Sequence, residues 1–219
     1  MPRIISLPKL ILSCQIRPGE PMDNQPTINR IIDCAVLAGI MHVRVNTRSA
    51  KYAKSKGLSI ICLHKPVGRI RWINPDVRSV EKCLDQQPYA VAVESTYLLH
   101  PDEKGLSVLY DRIHKEGCLV VADVATLDDA IRAERLGADI VTTTLARIPE
   151  RGGYCGNHSD HVALIAEAAK NISVPLIAEG GIRSPDEAYE LLNAGATSVL
   201  IGYGIINPLG ITRYFLENI

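Results

Sequence analysis

The stretch from Val174 to Ile205, VPLIAEGGIRSPDEAYELLNAGATSVLIGYGI, constrains the fold of this chain more than any other. Val174-Pro175-Leu176-Ile177-Ala178 is a short unbroken apolar run, the pattern of a parallel strand covered on both faces. Pro175 is tolerable there only at the strand start. Glu179 closes the run and Gly180-Gly181 follow. A helix is then predicted, with Ser184 as cap, Pro185 at the first helical position and Glu187 completing a capping box. Ala188, Leu191 and Leu192 make its apolar stripe, and Gly195 is its stop. A second strand, Ser198 to Ile201, runs into Gly202-Tyr203-Gly204. The segment is therefore one and a half β/α units, with two glycine turns and a carboxylate at the strand ends.

The same unit recurs along the chain. AGIMHVRVN, LGADIVTTT and AGATSVLIG each read as a helix-ending glycine, a short link and a strand, a weak internal repeat. Further apolar runs at Leu10 to Cys14, Ser59 to Leu63, Tyr89 to Val93 and Leu119 to Ala122 bring the strands to eight, alternating with helical segments and without a linker. That alternation predicts a single (β/α)8 TIM barrel spanning residues 1–219, with a parallel eight-stranded core. An open doubly wound sheet is the alternative; the strand count and the lack of G-x-G-x-x-G after the first strand favour the barrel. At 219 residues with 47% apolar content, the chain suffices for one such core.

Composition removes several function classes. The 24 basic and 24 acidic residues cancel, so no basic field draws in nucleic acid or an anionic membrane. Arg69-Ile70-Arg71 is a weak local exception and reads as a solvated loop. No apolar run approaches the ~20 residues of a membrane span. The six cysteines are scattered, several in apolar runs, and the first eight residues are too short and proline-rich for a secretory signal. The expectation is buried reduced thiols in a cytoplasmic protein.

In a barrel, chemistry comes from the carboxyl ends of the strands. The polar residues there are Gln15, Arg44, Asn46, Lys65, Glu94, Asp123, Thr142 to Thr144 and Glu179. A solvated rim explains any one of them; the set as a whole points to a site. Lys65 follows five strand residues and His64, so its stem leaves an apolar wall. Serving as a base at neutral pH needs its pKa brought down by ~3 units, which burial can supply and a neighbouring carboxylate opposes. Lys65 and a carboxylate on opposite sides of a bound carbon suit proton transfer next to a carbonyl; a structural ion pair or a Schiff-base lysine are the other readings. Arg44 suits fork-like binding of a polar ligand, or an internal pair with Asp123 or Glu179. Gly180, Gly181, Gly202 and Gly204 fit a phosphate cradle at the last two strands, or tight turns without an anion. Cys155, His158 and His161 lack the framing of a zinc site, and a glycine-rich surface loop is expected there with no metal.

Taken in order, Leu12-Ser13-Cys14-Gln15 with Pro18-Gly19-Glu20-Pro21, Val43-Arg44-Val45-Asn46, Leu63-His64-Lys65, Ala122-Asp123-Val124-Ala125-Thr126, Thr142-Thr143-Thr144-Leu145 and Ile177-Ala178-Glu179-Gly180 resemble one family. It is the N-acylglucosamine-6-phosphate 2-epimerases, also called N-acetylmannosamine-6-phosphate 2-epimerases. The resemblance implies a TIM-barrel isomerase of amino sugar metabolism that interconverts N-acetylmannosamine 6-phosphate and N-acetylglucosamine 6-phosphate without a cofactor. It further implies that Lys65 moves the proton at C2 with Glu179 as partner. Gln15, Arg44, Asn46, Asp123 and Thr143 would hold the sugar and its amide, and the four glycines the phosphate. A phosphorylated amino sugar is the expected ligand, and a homodimer is expected by analogy alone. The chain departs from the family pattern where Gly181 and Asn207 stand in place of arginines; Arg183 or Arg147 would be the substitutes. The competing functions are a Schiff-base lyase or condensing enzyme on the same barrel, and a non-catalytic barrel that binds phosphorylated ligands.

Overall fold

The computed structural model describes residues 5–66, 68 and 72–219. Eight parallel strands close into a barrel in sequence order: β1 Leu10–Ser13, β2 His42–Asn46, β3 Ser59–Leu63, β4 Ala90–Glu94, β5 Leu119–Asp123, β6 Ile140–Thr142, β7 Leu176–Glu179 and β8 Ser198–Ile201. Closure is made by β1 against β8, with Ile11 opposite Leu200. Among the described residues, nine α-helices alternate with the strands or follow them: α1 Gln25–Leu37, α2 Thr47–Ser55, α3 Val77–Leu84, α4 Glu103–Lys115, α5 Leu127–Arg135, α6 His158–Asn171, α7 Pro185–Asn193, the short α8 Tyr203–Ile206 and α9 Pro208–Asn218. The barrel is the predicted one. The sequence reading missed α8 and a 3-10 turn at Pro149–Arg151, both too short to show a 3.6-residue period. The predicted loop at Arg69 to Arg71 lies outside the described residues.

Local chemistry sets the helix starts. Asn24, Asp76, Asp102, Thr126, Asn157, Ser184 and Asn207 each accept a backbone N–H in the first turn of the helix that follows. At α7 the capping differs from expectation. Ser184 Oγ accepts from Glu187 N at 3.2 Å, but the Glu187 carboxylate turns back to Arg183 N rather than to the amide of Ser184.

The barrel has two apolar layers. Leu12, Val43, Val45, Ile60, Cys62, Val91, Val93, Val120, Val141 and Val199 pack outward with helix residues such as Ile28, Ile32, Leu106 and Ile165. Ile11, Ile61, Leu63, Ala90, Ala92, Leu119, Val121, Ile140, Ile177 and Leu200 form a separate inner cluster. Each buried Ile, Leu or Val contributes about 1.5–3 kcal/mol of transfer free energy. Because side chains alternate across a strand, the inner phase carries onward to the carboxyl ends. Ser13 and Gln15, Arg44 and Asn46, Lys65, Glu94, Asp123, Thr142 and Thr144, and Glu179 all continue it.

Five of the six cysteines are buried and Cys34 is exposed; all six are free thiols. Burial pushes Cys14 up to about 12, so that thiol is held protonated at neutral pH. Among the described residues, no helix is long and apolar enough to cross a membrane.

Candidate active site

Arg44 sits at the centre of the mouth. It stands on β2 between Val43 and Val45, faces the barrel axis and is 1% exposed. A lone guanidinium there would be very costly. Two carboxylates compensate it. Nη1 lies 2.5 Å from Glu179 Oε2 on β7, and Nη2 lies 2.7 Å from Asp123 Oδ1 on β5. The second contact is an ion pair without hydrogen-bond geometry, since Nη2 has no hydrogen-bond partner among the described residues. The internal pair that the sequence left open is therefore present with both acids. Their charges hold Arg44 above its usual range against the opposing effect of burial.

The three threonines after β6 divide by phase. Thr144 Oγ1 hydrogen-bonds Asp123 Oδ1, accepts from Arg44 Nη1 at 3.0 Å and reaches Glu179 Oε2 at 2.7 Å. Thr142 Oγ1 reaches the same glutamate oxygen at 3.4 Å. Thr143, expected to hold ligand, faces away instead. Its hydroxyl meets His161 Nε2 of α6 at 2.8 Å and accepts from Glu179 N at 3.1 Å. It braces the strand end, and Thr144 takes the facing position.

Glu179 is 14% exposed, whereas Asp123 is fully buried. Burial raises the Glu179 pKa, the Asp123 charge adds to that, and the Arg44 and Lys65 charges oppose it. Lys65 continues the inner phase of β3. In an eight-stranded barrel β3 and β7 stand four strands apart, so Lys65 and Glu179 approach from opposite walls. The Lys65 charge reaches Glu179 and favours its ionised form. Gln15 Nε2 donates to Ser13 Oγ at 3.0 Å, while its buried Oε1 has no partner among the described residues. That oxygen is a buried acceptor left open at the end of β1. Asn46 starts α2 without capping it through its side chain.

A second buried pair lies beside the first. Glu94 ends β4 directly opposite Asp123 of β5 and is fully buried. Its Oε2 binds Arg151 Nη1 and accepts Ile73 N at 3.1 Å; its Oε1 has no partner among the described residues. Burial raises its pKa and Arg151 opposes the rise. Arg151 lies 4.3 Å over the Trp72 ring. Arg151 is thus drawn into the mouth by a buried carboxylate, and His158 and His161, expected on a glycine-rich surface loop, lie on α6. The sequence reading placed Glu94 at a strand end but did not assign it or Ser13, Thr142 and Thr144 roles in a site. Two-residue counting from the inner apolar positions finds all four.

Cys155, His158 and His161 go to separate surroundings. Cys155 is buried, His158 pairs with Glu190 at 2.9 Å and His161 with Thr143. Among the described residues no three such groups converge.

The glycine turns meet at the same end. Gly180 and Gly181 adopt φ of +117° and +69°, backbone that other residues rarely take. A Cβ on Gly204 would stand 2.4 Å from Ile182 O, so the β8 turn packs on the β7 turn. Asp186 and Glu187 fill the first turn of α7 with negative charge, and Glu187 occupies the Arg183 amide. The helix dipole there is already complemented.

A family model described as "Putative N-acetylmannosamine-6-phosphate epimerase" matches residues 28–219. The chain belongs to the N-acetylmannosamine-6-phosphate epimerase family. A relative in Caldanaerobacter subterraneus subsp. tengcongensis, named "Putative N-acetylmannosamine-6-phosphate 2-epimerase", is 31% identical over 213 residues, covering 94% of this chain and 89% of the relative. The solved N-acetylmannosamine-6-phosphate 2-epimerase from Clostridium perfringens superposes with a TM-score of 0.87 at 30% identity, covering 96% of this chain and 93% of that one. A deoxyribose phosphate aldolase from Aeropyrum pernix superposes with a TM-score of 0.70 at 17% identity over 96% of this chain and 91% of its own. That likeness is one of fold alone. The mouth of this chain carries a lysine and a glutamate on facing walls and a buried arginine between two acids.

Proposed function

We propose that this chain is a cofactor-independent isomerase that interconverts N-acetylmannosamine 6-phosphate and N-acetylglucosamine 6-phosphate by moving the proton at C2. The observation that carries the proposal, given family membership, is the approach of Lys65 and Glu179 from opposite walls.

C2 of the open-chain sugar lies next to the C1 aldehyde, so removing its proton gives an enolate whose charge is shared between C2 and the C1 oxygen. Inversion requires loss of the proton on one face of C2 and its return on the other. Lys65 removes the proton from one face, rotation about the C2–C3 bond turns the other face of the planar enolate to the same lysine, and its ammonium returns the proton there. Glu179, whose pKa is raised by burial, exchanges a proton with the ring oxygen as the ring opens and closes. Arg44 keeps an unpartnered Nε–H among the described residues, a donor for developing charge on oxygen. Gln15, Asn46 and Asp123 orient the sugar and its amide, the last through the Arg44 and Thr144 network. The turns at Gly180-Gly181 and Gly202-Gly204 receive the phosphate. The protein works as a cytoplasmic enzyme, as a homodimer by analogy with its family.

Conversion of N-acetylmannosamine 6-phosphate by the purified protein tests the reading, with Lys65→Ala expected to lose at least ~100-fold in kcat, the scale of general acid–base catalysis. Borohydride added during turnover separates the Schiff-base alternative. An irreversible adduct on Lys65 would replace the epimerase reading by a lyase or condensing reaction.

A further inference from the structure

Arg147 lies on the loop after β6, and its guanidinium covers Gly181. A Cβ built on Gly181 would stand 2.1 Å from Arg147 Nη1 and 2.8 Å from Cζ. The space a side chain at 181 would fill is occupied by a cation reaching in from another strand. The only acceptor its guanidinium finds among the described residues is Gly181 O, at a long 3.5 Å. It has no carboxylate partner among them. Glu179, the acid of the same turn, is already taken by Arg44 and Thr144. A guanidinium presents five N–H donors in a planar fork, and most of these remain open at the mouth.

The backbone around it is suited to an anion. Gly181 is exposed, and neither its amide nor that of Ile182 donates to any acceptor among the described residues. The nearby cation Arg183 is turned elsewhere, with its guanidinium 4.5 Å from the Tyr214 ring centroid and its amide bound to Glu187. The acidic first turn of α7 removes helix-dipole attraction from this corner. A phosphate here needs a side-chain positive charge, and Arg147 alone of the two points at the turn.

We infer that Arg147 is the residue that selects phosphorylated over unphosphorylated sugar, forking the phosphate oxygens against the Gly181 turn, with glycine required at 181 so that the guanidinium can lie there. The inference rests on the proposed placement of phosphate at the glycine turns and adds its charge partner.

Calorimetric titration with inorganic phosphate tests the site whatever the chemistry, using the intact protein and Arg147→Gln, Arg147→Lys, Gly181→Ala and Arg183→Gln. Arg147→Gln is expected to weaken phosphate binding 10–100-fold, the scale of a charge-assisted bidentate contact. Arg147→Lys should lose less, and Gly181→Ala should follow Arg147→Gln because its Cβ displaces the guanidinium. Arg183→Gln should stay within twofold. In turnover, the ratio of kcat/KM for the sugar 6-phosphate to that for the free sugar should fall by the same 10–100-fold in Arg147→Gln. Phosphate binding by Arg147→Gln within twofold of the parent, a larger loss in Arg183→Gln, or no phosphate binding by the parent protein each overturns the inference. Phosphate binding that depends on Arg147 in a protein that epimerises neither sugar leaves the site standing and removes the proposed reaction instead.

Discussion

Arg44 concentrates the energetic problem of this barrel in one side chain. It is nearly fully buried, flanked along β2 by Val43 and Val45, and lies against two carboxylates, Asp123 on β5 and Glu179 on β7. Removing it leaves Asp123 and Glu179 buried with uncompensated like charge. Arg44→Ala should therefore cost about 3–5 kcal/mol of unfolding free energy, or force one acid to stay protonated. Arg44→Lys keeps the charge but cannot fork across both acids, so it should recover only part of that loss. Urea denaturation at neutral pH measures both, and a loss below ~1 kcal/mol for Arg44→Ala would contradict the account. Sequence alone showed a polar residue at the end of an apolar strand. It could not choose between ligand and internal partner, because Asp123 and Glu179 come from β5 and β7, distant in sequence and brought near only by barrel closure.

At the scale of an element, β6 and the turn after it show what alternation decides. Thr142 and Thr144 share the inner phase with Ile140, while Thr143 points to α6. Three identical residues in a row carry no compositional signal for which one faces the mouth, and for that reason the sequence did not show that Thr143 turns toward α6. Its partner His161 has 0% exposure, and burial, with the Arg147 and His158 charges, pushes its pKa down to about 4. The unfolded chain, with His161 near 6.5, binds the extra proton first as pH falls. Stability from this group is full above pH 6.5 and is lost between there and about pH 4. The total is roughly 3 kcal/mol at ~1.4 kcal/mol per unit. His42, His64 and His100 are shifted in the same direction, so the difference between parent and variant isolates His161. His161→Gln should flatten the fall in stability between pH 6.5 and 4.5. Parallel pH profiles for the two proteins would contradict this.

For the whole molecule, the order of strands and their parallel closure were legible in the repeat of helix, glycine and strand. The glycine pairs marked the β7 and β8 turns. Less legible were the loop residues that reach inward across the barrel, Arg151 to Glu94 and Arg147 to Gly181. A loop carries no period that says where its side chains point, and a glycine does not announce which residue needs its space. The proposed reaction uses opposite walls of the closed barrel, with Lys65 from β3 at C2 and Glu179 from β7 at the ring oxygen of the same sugar. Solvent exchange at that carbon tests it most directly. With N-acetylmannosamine 6-phosphate in heavy water, the protein should place one deuterium at C2 of both epimers, and Lys65→Ala should not. Interconversion without deuterium at C2, or exchange undiminished in Lys65→Ala, would contradict proton transfer by this lysine.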